Sequence, residues 1–201
     1  VLIVLTAVFA PVIAPRDPLY AVMNDSLKAP CAEYICGADK LGRDVLSRVI
    51  FGTRSSLTMT LSLVAVVFVV GTSLGVISGF FGGAVDEIIM RISDMMISFP
   101  GLVLAIAIAG LLGPNMVNAV LAIATVSWTK YARLSRSLVI KVKNSVFIEA
   151  AVLSGTKTHN IILRHILPNI ISTMIITAAS DIGTMMLELA SLSFLGFGAQ
   201  P

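Results

Sequence analysis

Charged residues are scarce in this chain: they make up 12% of its 201 residues, against about 25% in a typical soluble domain. Hydrophobic residues supply 57% of the sequence, and the mean hydropathy is +0.97. So few charges cannot cover the surface of a water-soluble fold of this size, which excludes that class. The length suggests one domain, and lipid must form part of its solvent. We therefore predict an all-α polytopic membrane protein.

Several kinds of chemical site are missing from the sequence as well. No G-x-x-x-x-G-K-[ST] phosphate loop occurs, so we do not expect the chain itself to bind ATP. His159 and His165 are six residues apart and would point in different directions on a helix, and we expect no metal site and no cofactor. Residues 71–75 fit G-x-S-x-G, but they lie in an uncharged helical stretch and not in the strand–turn–helix of a hydrolase. The net charge of +3 does not indicate nucleic acid in so apolar a chain.

The two ends of the chain look incomplete. Residues 1–14 are apolar but too few to span a bilayer. We interpret them as a truncated first transmembrane helix, and a signal-peptide core is the alternative. Because the sequence stops abruptly at Gln200-Pro201, we expect at least one more helix beyond it.

Residues 15–55 form a polar segment in which acidic and basic residues nearly balance. Several prolines favour irregular backbone there, and the balanced charge predicts an extracytoplasmic location. The only two cysteines, Cys31 and Cys36, lie in this segment. In an oxidising compartment they could form a disulfide, and two free thiols are an equally good reading.

Residues 56–201 are predicted to form the transmembrane core. About 20 helical residues cross the hydrocarbon layer, and the turn signal Gly113-Pro114-Asn115 divides the longest uncharged stretch. Together with the truncated first helix, this gives about five spans. The four complete ones are placed at about 56–80, 88–112, 116–137 and 168–189.

Two features inside these spans are candidates for helix packing or for the transport pathway. Glycines recur at every fourth position and would allow another helix to approach closely; they are Gly71, Gly75, Gly79 and Gly83. Asp181 and Glu188 are acidic residues at membrane depth, where ionisable groups often have a function. For Asp181, an interhelical hydrogen bond or a protonated carboxyl group facing the bundle is the alternative. The sequence identifies no partner for either residue.

Basic residues are concentrated in residues 130–165, where only Glu149 opposes them. By the positive-inside rule this segment is predicted to be cytoplasmic, which places the 113–115 hairpin and residues 15–55 outside. Within it, the loop 138–165 contains a short helix-forming stretch from Glu149 to Gly155. This stretch suits docking into a partner's groove or lying on anionic lipid, and spacing alone does not decide between the two.

The stretch from Glu149 to Asn169 resembles the EAA loop of binding-protein-dependent ABC importer permeases. In that family the loop forms a coupling helix that docks on the ATP-hydrolysing subunit. The resemblance implies a set of coupling residues, to which we add Ser154 because it lies in the same helix-forming stretch. The full set is Glu149, Ala150, Ala151, Ser154, Gly155, His165, Leu167 and Pro168.

Two further stretches resemble the C-type permeases of dipeptide, oligopeptide and nickel importers. Residues 37–44 resemble GTDxLGRD, with Ala38 in place of threonine, and residues 190–198 resemble ASLSFLGLG. The extracytoplasmic motif residues implied by the first stretch are Gly37, Asp39, Leu41, Gly42, Arg43 and Asp44.

The resemblance implies a type I ABC importer transmembrane domain, acting as an inner-membrane permease subunit and not as an enzyme. The implied partners are a second permease, two ATP-binding subunits, an extracytoplasmic solute-binding protein and membrane lipid, with no nucleic acid. The expected substrates are short peptides, with nickel as a close alternative. A secondary transporter or channel that is not coupled to ATP is the alternative function.

Overall fold

The computed structural model describes residues 2–198 and is helical over most of their length. Within that range no β-strand forms, and the only strand-like pairing is an isolated bridge between Ala38 and Asp44. This confirms the predicted all-α class. The chain divides into two compact units, residues 1–59 and residues 60–201.

Nine α-helices are formed by the described residues. They are α1 (Leu2–Val8), α2 (Ala10–Ile13), α3 (Val45–Phe81), α4 (Gly83–Ile97), α5 (Gly101–Leu112), α6 (Met116–Lys143), α7 (Val146–Leu153), α8 (Thr158–Asn160) and α9 (Leu167–Phe194). A 3₁₀ turn covers Met23–Asp25, and a π-helical turn, Ile161–Ile166, joins α8 to α9.

The apolar residues at the start of the chain form two short helices and not the single helix predicted for residues 1–14. Helix α1 ends at Val8, and α2 begins at Ala10. Pro11 lies in the first turn of α2, where its missing N–H group does no harm. The same proline could not donate within a continuous helix, which explains the interruption. Val1 lies outside the described residues.

Helix α3 is longer than the predicted span 56–80 because it begins with a cap in the polar segment. The Asp44 carboxylate accepts hydrogen bonds from the Ser47 backbone N–H group at 2.8 Å and from the Ser47 hydroxyl group at 2.6 Å. An aspartate in this position satisfies a free N–H group of the first turn. The helix then extends over 37 residues.

The predicted span 88–112 is not one continuous helix. Helices α4 and α5 meet at an angle of 91° across a three-residue break. Pro100 directly precedes α5; it has no N–H group to donate, and it disfavours the helical conformation at Phe99. The hydropathy of this stretch did not reveal the break.

Fewer helices meet the length and hydropathy of a membrane span than the five expected. Among the described residues, Val45–Phe81 and Thr158–Phe194 do so, and the bent pair α4–α5 would make a third. Helix α6 has 28 residues, which is long enough, but basic residues occupy its second half and lower its hydropathy.

Helix α6 lies at the centre of the second unit, where it contacts α4, α5, α7 and α9. It also packs against the glycines of α3. A Cβ atom added at Gly71, Gly75 or Gly79 would lie within 3.0 Å of α6 atoms. Gly83 departs from this pattern: it starts α4 with a φ of +55°, and a Cβ atom there would have no neighbour within 4 Å. Three of the four glycines therefore form the helix contact.

The predicted hairpin at Gly113-Pro114-Asn115 is confirmed, since α5 ends at Leu112 and α6 begins at Met116. The next boundary differs from the prediction. Helix α6 continues to Lys143, beyond the predicted end at 137, so residues 130–143 are helical and are not part of a loop. The last long helix is also extended, from Thr158 to Phe194 instead of 168–189.

Candidate functional site

The stretch predicted to form a short helix folds as α7, and the end of this helix is built around Gly155. This glycine has a φ of +76°, a conformation that glycine adopts without strain. Its N–H group donates to the Val152 carbonyl group at 3.0 Å, and the Thr156 N–H group donates to the Ala151 carbonyl group at 3.1 Å. This pair of bonds is a Schellman motif, which satisfies the last carbonyl groups of a helix. Gly155 therefore terminates α7.

One buried side chain fixes α7 to the rest of the second unit, while the side chains at the two ends of this helix are exposed. Ile148 is 3% exposed, whereas Val146 is 81% and Leu153 88% exposed. Among the other predicted coupling residues of α7 and its cap, Glu149, Ala150 and Ser154 are exposed and Ala151 is half-buried. The helix presents apolar groups outward although it is not itself a candidate span.

A groove of about 410 Å³ runs beside α7. Its lining is mostly apolar and includes Phe80, Lys143, Ile148, Glu149, Val152, Leu153 and Ile161. The Lys143 ammonium group donates to the Phe80 carbonyl group at 2.7 Å, which ties the end of α6 to the end of α3. A cation at the carbonyl end of a helix is electrostatically favourable.

The second half of the predicted coupling motif lies in the π-helical turn and in the start of α9. His165 and Leu167 are half-buried and Pro168 is exposed; the His165 carbonyl group accepts a hydrogen bond from the Asn169 side-chain amide group at 2.6 Å. Pro168 occupies the first turn of α9 and cannot donate to the preceding turn. A π-helical turn is a recognised way to accommodate such a break.

An ion pair joins the middle of α6 to the middle of α9. The Lys130 ammonium group lies 2.7 and 2.8 Å from the two carboxylate oxygens of Asp181. The Tyr131 hydroxyl group donates to the same carboxylate at 3.1 Å. Asp181 is 8% exposed and Tyr131 is fully buried. The interhelical hydrogen bond proposed as the alternative for Asp181 is therefore present, and an ion pair accompanies it.

The sequence missed this partner because Lys130 was assigned to a cytoplasmic loop. It lies on α6 facing a candidate span, 51 positions from Asp181. A lysine that follows 35 uncharged residues could have been read as the counter-ion of a carboxylate in another span, since such charges tend to pair.

A cavity of about 210 Å³ opens beside the ion pair, between α6 and α9. Six of its eight lining residues are polar or charged: Ser127, Thr129, Lys130, Asp181, Thr184 and Glu188. Both acidic residues predicted as pathway candidates, Asp181 and Glu188, thus line one cavity. They are seven residues apart and so share a face of α9.

Two more ion pairs, neither of which was predicted, join α6 to α4. The Arg136 guanidinium group binds both carboxylate oxygens of Asp86 at 2.5 Å, and the Ser78 hydroxyl group donates to the same carboxylate at 2.5 Å. Arg133 pairs with Asp94 and also donates to the Ser93 hydroxyl group at 3.0 Å. Bidentate arginine–carboxylate pairs fix geometry as well as charge. Three bases that were counted toward the cytoplasmic loop therefore hold helices together.

In the first unit, the predicted extracytoplasmic motif folds around the carboxylate of Asp39. This carboxylate accepts from the backbone N–H groups of Leu41 at 2.8 Å and Arg43 at 2.9 Å, and from the Arg43 side chain at 2.8 Å. The Arg48 guanidinium group also donates a hydrogen bond to this carboxylate. Burial alone would raise the pKa of Asp39, but these donors outweigh it and hold the pKa well below its ordinary value.

Each of the other motif residues also has a place in this fold. A Cβ atom at Gly42 would lie 1.8 Å from the Val22 carbonyl oxygen, and one at Gly37 would lie 2.8 Å from the Lys28 carbonyl oxygen. Asp44 caps α3, as described above. Leu41 is 41% exposed and offers its side chain outward. The motif therefore builds a tight turn before α3.

The remaining charges of the polar segment mostly pair with one another. Asp25 accepts from Lys28 at 3.0 Å and from the Tyr34 hydroxyl group at 2.9 Å, and these two bonds lower its pKa. Glu33 binds Arg16 at 2.9 Å and Lys28 at 3.2 Å. The Arg16 guanidinium group also lies 4.3 Å from the centre of the Tyr34 ring.

Cys31 and Cys36 are exposed free thiols in the structure. Of the two readings left open by the sequence, the structure therefore has the unpaired form.

Comparison with known proteins gives consistent matches. A family model described as binding-protein-dependent transport system inner membrane component matches residues 71–201. The dipeptide transport system permease protein of Alkalihalophilus pseudofirmus is 43% identical over 199 residues, which cover 98% of this chain and 65% of that protein.

Two further relatives come from other transport systems. A probable D,D-dipeptide transport system permease protein of Escherichia coli K12 is 41% identical, and the glutathione transport system permease protein of Pectobacterium atrosepticum is 39% identical. In each case all of this chain is matched, to 67% of the relative. The chain thus spans about two thirds of the length of the curated relatives it matches.

Proposed function

The chain belongs to the binding-protein-dependent transport system inner membrane components, and from this we propose that it is a permease subunit of an ATP-driven importer. Membership of this family makes it an all-helical protein of the inner membrane. A second permease, two ATP-binding subunits and an extracytoplasmic solute-binding protein would complete the importer. ATP hydrolysis would belong to the separate subunits.

The exposed apolar ends of α7 are the observation that carries the proposal. Val146 and Leu153 are more than four-fifths exposed, while Ile148 holds the helix in place. Exposed apolar groups clustered beside a groove are typical of a protein docking site. In our proposal α7 is the coupling helix, and Leu153 and Val146 insert into the ATP-binding subunit.

The connections of α7 suit it to pass on a movement. Helix α7 contacts both α6 and the π-helical turn, and the π-helical turn continues directly into α9. Ile161 and Ile166 are buried, at 4% and 0% exposure, so this turn cannot slide freely over its neighbours. A displacement of α7 on ATP binding would therefore be carried to α6 and α9, the two helices that line the polar cavity.

Short peptides are the substrates we propose. The relatives described above are named for dipeptides, D,D-dipeptides and glutathione, and all three of these cargoes are small molecules with amino and carboxylate groups. Nickel stays a prediction from the family resemblance. The solute-binding protein would deliver the peptide, and the permease pair would alternate between outward-facing and inward-facing states.

The test is uptake of a radiolabelled dipeptide by the complete importer in liposomes, with and without ATP. Leu153→Glu places a charge in the proposed docking contact without disturbing a buried site, and we expect it to abolish ATP-dependent uptake. Leu153→Met keeps the side chain apolar and of similar size, and we expect near-normal uptake. Radiolabelled nickel, measured in parallel, tests the other predicted cargo.

Two results would contradict the proposal. Uptake that is the same with and without ATP would favour the alternative, a transporter or channel that is not coupled to ATP. Full ATP-dependent uptake by the Leu153→Glu variant would keep the importer but remove α7 from the contact with the ATP-binding subunit.

A further inference from the structure

The cavity between α6 and α9 contains an imbalance of charge. Lys130 and Asp181 neutralise each other in a close pair. Glu188 lines the same cavity, and within residues 2–198 it forms no hydrogen bond and no ion pair. An ionised carboxylate at this depth is costly unless a positive group compensates it.

Lys130 cannot easily serve both carboxylates. Its ammonium group carries three N–H donors, and it lies within 2.8 Å of both oxygens of Asp181. Glu188 is two helical turns along α9 from Asp181, a rise of about 10 Å. A positive group brought into the cavity by a ligand would compensate Glu188 directly.

The cavity has room for such a group and suitable polar walls. Its volume of about 210 Å³ is far above the roughly 10–15 Å³ that one water molecule needs. Ser127 and Thr184 line it together with Glu188, and the hydroxyl oxygens of serine and threonine accept hydrogen bonds from N–H donors. A single carboxylate with a few hydroxyl groups is a poor set for a divalent metal ion, which takes six or more oxygen ligands or near-ideal octahedral geometry. It suits an ammonium group with three donors.

We propose that this cavity binds the protonated amino terminus of the transported peptide, with Glu188 as its counter-ion and the hydroxyl groups of Ser127 and Thr184 as further acceptors. The Lys130–Asp181 pair is a positioning element that keeps the second carboxylate neutralised, so that Glu188 alone sets the charge of the site. The inference rests on the proposed peptide transport, and it adds a recognition step within the membrane to selection by the binding protein.

The site can be tested by protection of a cysteine placed in the cavity wall. In a chain carrying Cys31→Ser and Cys36→Ser, Val126→Cys puts a single thiol in the cavity wall, at a residue that is not one of the proposed acceptors. The complex of permeases and ATP-binding subunits is reconstituted in nanodiscs without the binding protein, and the rate of labelling by N-ethylmaleimide is followed. The ligands are Ala-Ala and its N-acetylated form, which lacks the ammonium group, in choline chloride buffer.

We expect Ala-Ala to slow labelling, by about fivefold at a concentration four times its dissociation constant. N-acetyl-Ala-Ala should give no protection. Glu188→Gln removes the charge with little change of shape and should abolish protection by Ala-Ala, while Glu188→Asp should retain part of it. Glu87→Gln, at an exposed position of α4, is the matched control and should leave protection unchanged.

Three outcomes would overturn the proposal. They are equal protection by the two peptides, protection that survives Glu188→Gln, and no protection by Ala-Ala. Protection by sodium chloride alone would assign the site to an inorganic cation. ATP-dependent dipeptide uptake by the same Val126→Cys importer, with the binding protein restored, tests the proposed function separately, so failure of the site and failure of the importer are distinguishable.

Discussion

Gly75 is the position at which α3 and α6 approach most closely, and it allows a sharp test of the glycine contact. A Cβ atom there would lie 1.8 Å from the Ser135 hydroxyl oxygen and 2.2 Å from the Ala132 carbonyl oxygen. The hydroxyl group can rotate away, but the carbonyl group belongs to the backbone of α6. Ordinary contact begins at 3.4 Å, so Gly75→Ala must move one helix by about 1.2 Å or strain it.

The structure predicts a graded series. The nearest backbone atoms of α6 would lie 2.2 Å from a Cβ atom at Gly75, 2.6 Å from one at Gly71 and 2.9 Å from one at Gly79. We expect Gly75→Ala to destabilise the protein by about 1–3 kcal/mol, in the range of overpacked cores, with smaller effects for Gly71→Ala and then Gly79→Ala. The added variant Ser135→Gly should relieve Gly75→Ala only in part, because the Ala132 carbonyl group remains.

Gly183 provides the matched control. It lies in α9, and a Cβ atom there would have no neighbour within 4 Å. Alanine favours a helix over glycine by about 1 kcal/mol in water, so Gly183→Ala should be neutral or slightly stabilising. Thermal unfolding of each variant in detergent gives the order of their stabilities. If Gly75→Ala were as stable as Gly183→Ala, the close contact between α3 and α6 would be wrong.

Three further predictions follow from the sites described above. Asp181→Asn and Lys130→Gln should each destabilise the protein by about 1–3 kcal/mol, the cost of leaving a partner unsatisfied. The double variant should lose less stability than the sum of the two single losses. Additive losses in thermal unfolding would show that the two side chains do not interact. The pKa of Asp39 is lowered by folding, so its contribution to stability is present above the ordinary pKa of about 4 and is lost as the pH falls toward the folded value. Hydrogen exchange at the Leu41 and Arg43 amides should therefore become faster, relative to intrinsic exchange, as the pH is lowered. Asp39→Asn should abolish this pH dependence. Protection that does not change with pH would show that the ionised Asp39 carboxylate does not hold these amides. Gly155→Val forces a branched side chain into a φ of +76° and should reduce ATP-dependent uptake, whereas Gly155→Asn, which tolerates that conformation, should retain it; equal uptake by the two variants would show that the end of α7 does not matter for coupling.

Local chemistry made part of this fold predictable from the sequence. The scarcity of charge required lipid and hence helices, because backbone polar groups in a bilayer must be satisfied within the protein. The turn at Gly113-Pro114-Asn115 was predictable because its residue types break helices wherever they occur together. The short helix ended by Gly155 was predictable for the same reason. These features depend on a few neighbouring residues and on the solvent.

Other features depended on which segments meet in space. Nothing near Lys130 in the sequence shows that Asp181 faces it, because the pair forms only when α6 and α9 pack side by side. The same is true of Arg136 with Asp86, and of the cavity that Glu188 lines. The 91° bend before α5 was missed because hydropathy does not register the N–H group that Pro100 lacks. Composition determined the class of protein and its solvent, whereas tertiary packing decided which charges pair with one another.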